Sequence, residues 1–190
     1  MTKYLLHGGF TRLENELNRS FYEEFTRDLP EGGTIALVYF ASRSDDTTDV
    51  FEEQKVKITN EAGGREFSFI HSTQENFIED ITAADAIYFH GGSTNKLLKI
   101  LRSYPDFKYL LVGKTVAGSS AGAYALVRYG ASHSESAVRE GLGFVNVRAV
   151  CHYESPELPP YPDAVELLRH TAEDLELILL KDCEWKKVEE

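Results

Sequence analysis

Ser120 carries the chemistry most legible in this chain. It lies in Gly118-Ser119-Ser120-Ala121-Gly122, a G-x-S-x-G spacing in which a serine sits on a sharp turn between a strand and a helix. Glycines on either side let the chain turn where a side chain would collide with neighbouring backbone. A serine so placed faces the free N–H groups of a helix N-terminus, which can hold an oxyanion. The flanks fit: Lys114-Thr115-Val116-Ala117 reads as a short buried strand, and 121–127 as the start of an Ala/Leu-rich helix. The chemistry this points to is acyl transfer.

A serine at its ordinary pKa is a poor nucleophile and needs a base. Among the histidines at 7, 71, 90, 133, 152 and 170, His152 is the leading candidate, because it ends the apolar strand 146–150 and opens the loop Tyr153-Glu154-Ser155-Pro156. His90 is second, because it precedes the glycine pair Gly91-Gly92. The base in turn needs an acid to fix its tautomer and stabilise imidazolium. Glu135, in Ser132-His133-Ser134-Glu135-Ser136, and Asp182, in the turn after the last apolar strand, both qualify, and spacing does not choose between them. For the oxyanion, Ala121 supplies one N–H directly after the serine, and Gly91-Gly92-Ser93 at another strand end offers a second. Ser93 or Thr94 also suits a helix N-cap.

These residues need a scaffold that brings several strand ends together. The segments alternate. Strands are expected at 4–6, 34–40, 67–70, 86–89, 114–117 and 145–150, and helices at 13–28, 47–59, 74–83, 95–102, 121–127 and 164–174. Segments 175–180 and 185–188 look like a closing pair of strands around a turn. Such alternation implies an α/β fold, a mostly parallel sheet with helices on both faces. Sheets of that kind bind ligands beyond the carboxyl ends of their strands. Three glycine-marked ends fall there: Gly8-Gly9, Gly91-Gly92 and Gly118. No linker or repeat interrupts the chain, so 1–190 is expected to be one domain.

Composition bounds the rest. Hydrophobic residues make up 42% and charged residues 27%, with a net charge of −11, which argues against nucleic acid or an anionic membrane as partner. No apolar run approaches the ~18 residues of a membrane span. The two cysteines are too few for a disulfide framework, and with no secretion signal the expected location is cytoplasmic. No C-x-x-C or His/Cys cluster suggests a metal, no cofactor is expected, and His170 reads as a surface residue.

With these residues assembled, the chain resembles the serine peptidase family of aspartyl dipeptidase (peptidase E) and cyanophycinase. The likeness rests on four blocks in order: Phe89-His90-Gly91-Gly92-Ser93-Thr94-Asn95-Lys96-Leu97-Leu98, Gly118-Ser119-Ser120-Ala121-Gly122-Ala123, Cys151-His152-Tyr153 and Leu180-Lys181-Asp182-Cys183-Glu184-Trp185. It covers residues from about 86 to the end. The resemblance implies a class I glutamine amidotransferase-like, flavodoxin-type fold and hydrolysis of short peptides by Ser120 with His152 as base. It leaves the third member open, since the family is known with an acidic residue near the Glu135 position and with a glutamate as third member. It also implies Gly92 and Ala121 as oxyanion donors, and monomers or homodimers. Serine where an amidotransferase needs cysteine argues against amidotransferase chemistry. Two departures stand out. Ser93 replaces the family's asparagine. The segment 154–163 after His152 holds no Arg or Lys, so an aspartyl preference is not implied. An esterase of the α/β-hydrolase type, whose chain order Ser, acid, His is met by Ser120, Glu135 and His152, and a non-catalytic binding relative remain as alternatives.

Overall fold

The computed structural model describes residues 1–190. Ten strands and six α-helices form two sheets and their covering layers. The larger sheet has six strands: β1 (Lys3–His7), β2 (Thr34–Val38), β3 (Ser68–Ser72), β4 (Ala86–Phe89), β5 (Thr115–Ser119) and β10 (Trp185–Glu189). Their order is β10-β1-β5-β4-β2-β3, all parallel except β10, which runs antiparallel to β1. The mostly parallel α/β architecture expected from the alternation is present.

Both faces of this sheet are buried, which explains strands that read as unbroken apolar runs. The two-residue period sends Tyr4, Leu6, Ala36, Val38, Ile87 and Phe89 into one core and Leu5, Ile35, Leu37 and Tyr88 into the other. The second core is closed by α1 (Glu16–Thr26) through Phe21, Tyr22 and Phe25, and by α2 (Thr48–Glu61) through Phe51 and Ile58. The first holds α3 (Phe77–Ala83), α4 (Thr94–Leu101), a 3₁₀ turn at Phe107–Leu111 and α5 (Ala121–Leu126).

Three expectations need correction. Leu13 and Leu17 fit the stripe of a helix over 13–28, yet they are 53% and 47% exposed. The helix starts only at Glu16, because the Asn15 side chain caps it by accepting from the Asn18 N–H at 2.9 Å. The helix after Ser120 ends at Leu126, and the chain turns at once into β6 (Val127–Ala131). With β7 (Val138–Glu140), β8 (Val145–Val150) and β9 (Leu177–Leu179) it makes a second, four-stranded sheet in the order β7-β6-β8-β9, covered by α6 (Pro162–Arg169). Finally, 175–180 and 185–188 do not pair. β9 lies parallel to β8 in the small sheet, β10 lies against β1 in the large one, and the turn between them crosses the seam. The tail is docked: Trp185 donates its indole N–H to the Ser20 Oγ at 3.0 Å.

Candidate active site

Ser120 stands where β5 of the large sheet becomes α5. The two glycines flanking it are steric requirements. A Cβ on Gly118 would sit 2.5 Å from the Gly122 carbonyl carbon, and one on Gly122 would sit 2.1 Å from the Phe89 carbonyl oxygen. Ser120 itself adopts φ 51°, ψ −107°, a costly conformation for a non-glycine residue. It is held there by its N–H donating to the His7 carbonyl at 2.9 Å and its carbonyl accepting from the Tyr124 N–H at 2.9 Å.

His152 follows β8 of the small sheet. Its Nε2 lies 3.1 Å from the Ser120 Oγ and its Nδ1 lies 2.7 Å from Asp182 Oδ1. Asp182 occupies the turn that crosses from β9 to β10. The imidazole is almost fully buried, with the side chain 4% exposed, whereas the Asp182 side chain is 23% exposed. With Nδ1 facing a carboxylate, the proton belongs on Nδ1, and Nε2 is left as an acceptor towards the serine hydroxyl. Glu135 makes no hydrogen bond to His152. Its side chain, 62% exposed, pairs with Arg139 at 2.9 Å.

Gly91, Gly92, Ser93 and Ala121 gather around the serine. The Gly91 Cα faces Ser120: a Cβ there would lie 3.4 Å from the serine Cβ. Gly92 has φ 143° and packs so closely on the Ala41 carbonyl that a Cβ would fall 2.2 Å from its oxygen. The Gly92 N–H makes no hydrogen bond within the protein. Ser93 caps α4, its Oγ accepting from the Lys96 N–H at 3.3 Å, so it supports the loop from behind. Ala121 is the first residue of α5, where N–H groups lack an intrahelical partner. His90 is not at the serine. Its ring is set against Tyr39 and Tyr88, its Nδ1–H donates to the Gly91 carbonyl at 3.1 Å, and burial lowers its pKa.

A cavity of about 250 Å³ opens over Ser120, bordered by Gly92, Ser93, Tyr124, His133, Leu158, Arg43 and Arg139. Arg139 is committed to Asn95, Ser132, Ser134 and Glu135. Arg43 is exposed and makes no ion pair or hydrogen bond. Thus the segment after His152 lacks cations, but the loop after β2 and strand β7 bring two arginines to the cavity. His133 Nε2 is hydrogen-bonded to the Tyr124 hydroxyl at 3.0 Å, and its ring packs edge-on to His152 at 5.6 Å between ring centroids. Burial, and then the neighbouring His152, pull its pKa down to about 4. No cluster of metal-ligating side chains is present, and no helix is long and apolar enough to cross a membrane.

The β1 exit loop has a part that the sequence did not reveal. Three successive carbonyls, of His7, Gly8 and Gly9, accept from the N–H groups of Ser120 (2.9 Å), His152 (3.0 Å) and Cys183 (3.0 Å). The only sequence signal is a glycine pair at a strand end. The backbone is strained around this seam. Of six non-glycine residues with positive φ, Phe10, Ser120, His152, Glu154 and Cys183 lie in or beside it.

A mostly parallel α/β sheet thus carries a serine at the carboxyl end of its interior strand β5, in line with a histidine and a carboxylate, and with the family match below the chain is a serine-type peptidase. The comparisons agree: the family model for peptidase family S51 matches residues 5–190, and the chain belongs to that family. Among solved structures, it is similar to a peptidase from an acI-B1 Actinobacterium, with TM-score 0.69 and 21% identity over 99% of this chain and 83% of the other. It is also similar to a proposed peptidase E protein from Listeria monocytogenes EGD-e, with TM-score 0.63 and 18% identity over 99% of this chain and 94% of the other. At these identities the likeness speaks for the fold. A search of the curated proteins found no match.

Proposed function

We propose that the protein hydrolyses short peptides through an acyl-enzyme on Ser120. The observation that carries this reading is the unbroken chain from Ser120 Oγ to His152 (3.1 Å) to Asp182 (2.7 Å). His152 Nε2 takes the serine proton as Oγ attacks the scissile carbonyl and returns it to the leaving amine. Asp182 holds the Nδ1–H tautomer and stabilises the imidazolium. Gly92 and Ala121 direct their N–H groups at the oxyanion, with Gly91 allowing close approach and Ser93 bracing the turn. Water then releases the acyl group by the same base. Glu135 takes no part in this mechanism.

The cavity supports a short substrate. Arg43 is a free cation at its border, and a short peptide, unlike a long chain, carries a terminal carboxylate close to its scissile bond. Turnover of a dipeptide and tripeptide panel, with free and amidated C-termini, tests the reading against Ser120→Ala. The variant is expected to lose roughly 10⁴- to 10⁶-fold in kcat. Activity surviving the substitution overturns the mechanism, and turnover of p-nitrophenyl esters without peptides makes the protein an esterase.

A further inference from the structure

The β1 loop is tied to Ser120, His152 and the Asp182 turn through its carbonyls, and something must hold the loop itself. The side chain of His7 does so. It is fully buried, and its ring nitrogens hydrogen-bond only to Asn18 and Gly9. Its protonation pattern follows from its neighbours. The Asn18 amide donates both ways, to the Phe10 carbonyl at 2.9 Å and the Leu13 carbonyl at 2.7 Å. Asn18 Oδ1 is therefore the atom that faces His7 Nε2, at 2.9 Å, so Nε2 carries the hydrogen. His7 Nδ1 is then a lone-pair acceptor, and the Gly9 N–H donates to it at 3.0 Å.

Gly9 is the critical point of the loop. Its Cα backs directly onto the His152 ring: a Cβ there would lie 2.0 Å from the imidazole carbon between the two nitrogens. Its carbonyl holds the Cys183 N–H, one residue past Asp182. A small rotation of Gly9 therefore moves the surface on which His152 rests and the turn that carries its carboxylate. Burial keeps His7 neutral, with a pKa near 4, so the acceptor persists at neutral pH.

We propose that His7 is a positioning residue, whose Nδ1 fixes Gly9 and through it the alignment of His152 with Asp182 and Ser120. The proposal rests on the catalytic reading above, and its test separates the two. In His7→Asn the side-chain oxygen replaces Nδ1 and still accepts from Gly9. In His7→Gln the terminal amide replaces Nε2, still reaches Asn18, and leaves Gly9 without an acceptor. A purely structural role treats the two alike. The positioning role predicts that His7→Gln lowers kcat by about 10- to 100-fold with KM little changed, whereas His7→Asn stays within about threefold of the parent.

A second readout needs no substrate: the downfield proton resonance of His152 Nδ1–H, identified by its absence in His152→Asn. It is expected in the parent and His7→Asn and lost or broadened in folded His7→Gln. Equal kcat losses in both variants, or parent-like kcat and resonance in His7→Gln, overturn the proposal. If His7→Gln does not fold, Asn18→Ser removes the acceptor that fixes the tautomer, and the same two readouts decide. A parent that shows the resonance but neither hydrolyses peptides nor labels with a fluorophosphonate sinks the peptidase reading and leaves the positioning claim standing on the resonance alone.

Discussion

The Asp182 turn and the Glu135 loop each carry a carboxylate that the sequence offers to the histidine, yet only Asp182 reaches it. Asp182 sits in the turn that joins β9 of the small sheet to β10 of the large one. That turn is tied at both ends, by Tyr153 N–H to the Leu180 carbonyl at 2.9 Å and by Gly8 N–H to the Glu184 carbonyl at 2.8 Å. Glu135 lies in the loop between β6 and β7, exposed and paired with Arg139. A neutral histidine accompanies each region, His7 fully buried beneath the turn and His133 half-buried in the loop. A carboxylate directs an imidazole only when its own backbone is held by the parts it must align. Proximity along the chain does not supply that.

The contrast is broken or sharpened by a graded set of measurements. Asp182→Asn should lower kcat by roughly 10⁴-fold, by analogy with the loss seen when a triad aspartate becomes an amide; a drop under tenfold would show that another group orients His152. The next effect concerns pH. Burial lowers the folded-state pKa of both His7 and His133 from 6.5 to about 4. Folding therefore favours the neutral rings, and their contribution is fully present above pH 6.5. As pH falls from 6.5 towards 4 the unfolded chain takes up protons first, so stability is lost across that window and levels off below it. The loss for His7 is on the order of 3 kcal/mol, with less from the partly exposed His133. Denaturant midpoints between pH 7 and 4 check this, and each histidine-to-asparagine variant should flatten its own share.

Gly9→Ala forces a methyl into the space of the His152 ring and should cut kcat about 100-fold, measurable beside an unaltered circular dichroism spectrum. Smallest of all, Glu135→Gln should leave kcat within about twofold and stability within ~1 kcal/mol, because an exposed ion pair contributes little. A large kcat loss in that variant would reverse the assignment of the acid.

Legibility in the sequence followed the range of the interactions. The elbow could be read because its spacing, strand and helix are local, and His152 because it ends an apolar strand. Asp182 and Glu135 stayed tied, since what separates them is the crossing of the seam, a matter of sheet membership. The second sheet was hidden for a related reason. Val127 follows Leu126 with no glycine or proline between them, so the first residue of β6 read as helix and 128–131 carried no strand signal. The segments at 175–180 and 185–188 looked like a hairpin because a turn joins them, and only their partners, β8 and β1, show that they part. The stitching by His7, Gly8 and Gly9 uses backbone carbonyls, which leave no mark on residue type apart from the glycines needed for close approach.

The left-handed backbone at Ser120, His152 and Cys183 has a consequence for anyone engineering this protein. Each such residue costs on the order of 1 kcal/mol or more, so the positions most open to stabilisation are those that set the geometry of the seam. Cys183→Gly would relax its backbone, but it would also empty a buried position whose sulfur faces the Asn15 amide and the Phe10 carbonyl, beside the turn that carries Asp182. Selection for heat tolerance alone would drift towards a sturdier and slower protein, so heat tolerance and turnover need to be screened together.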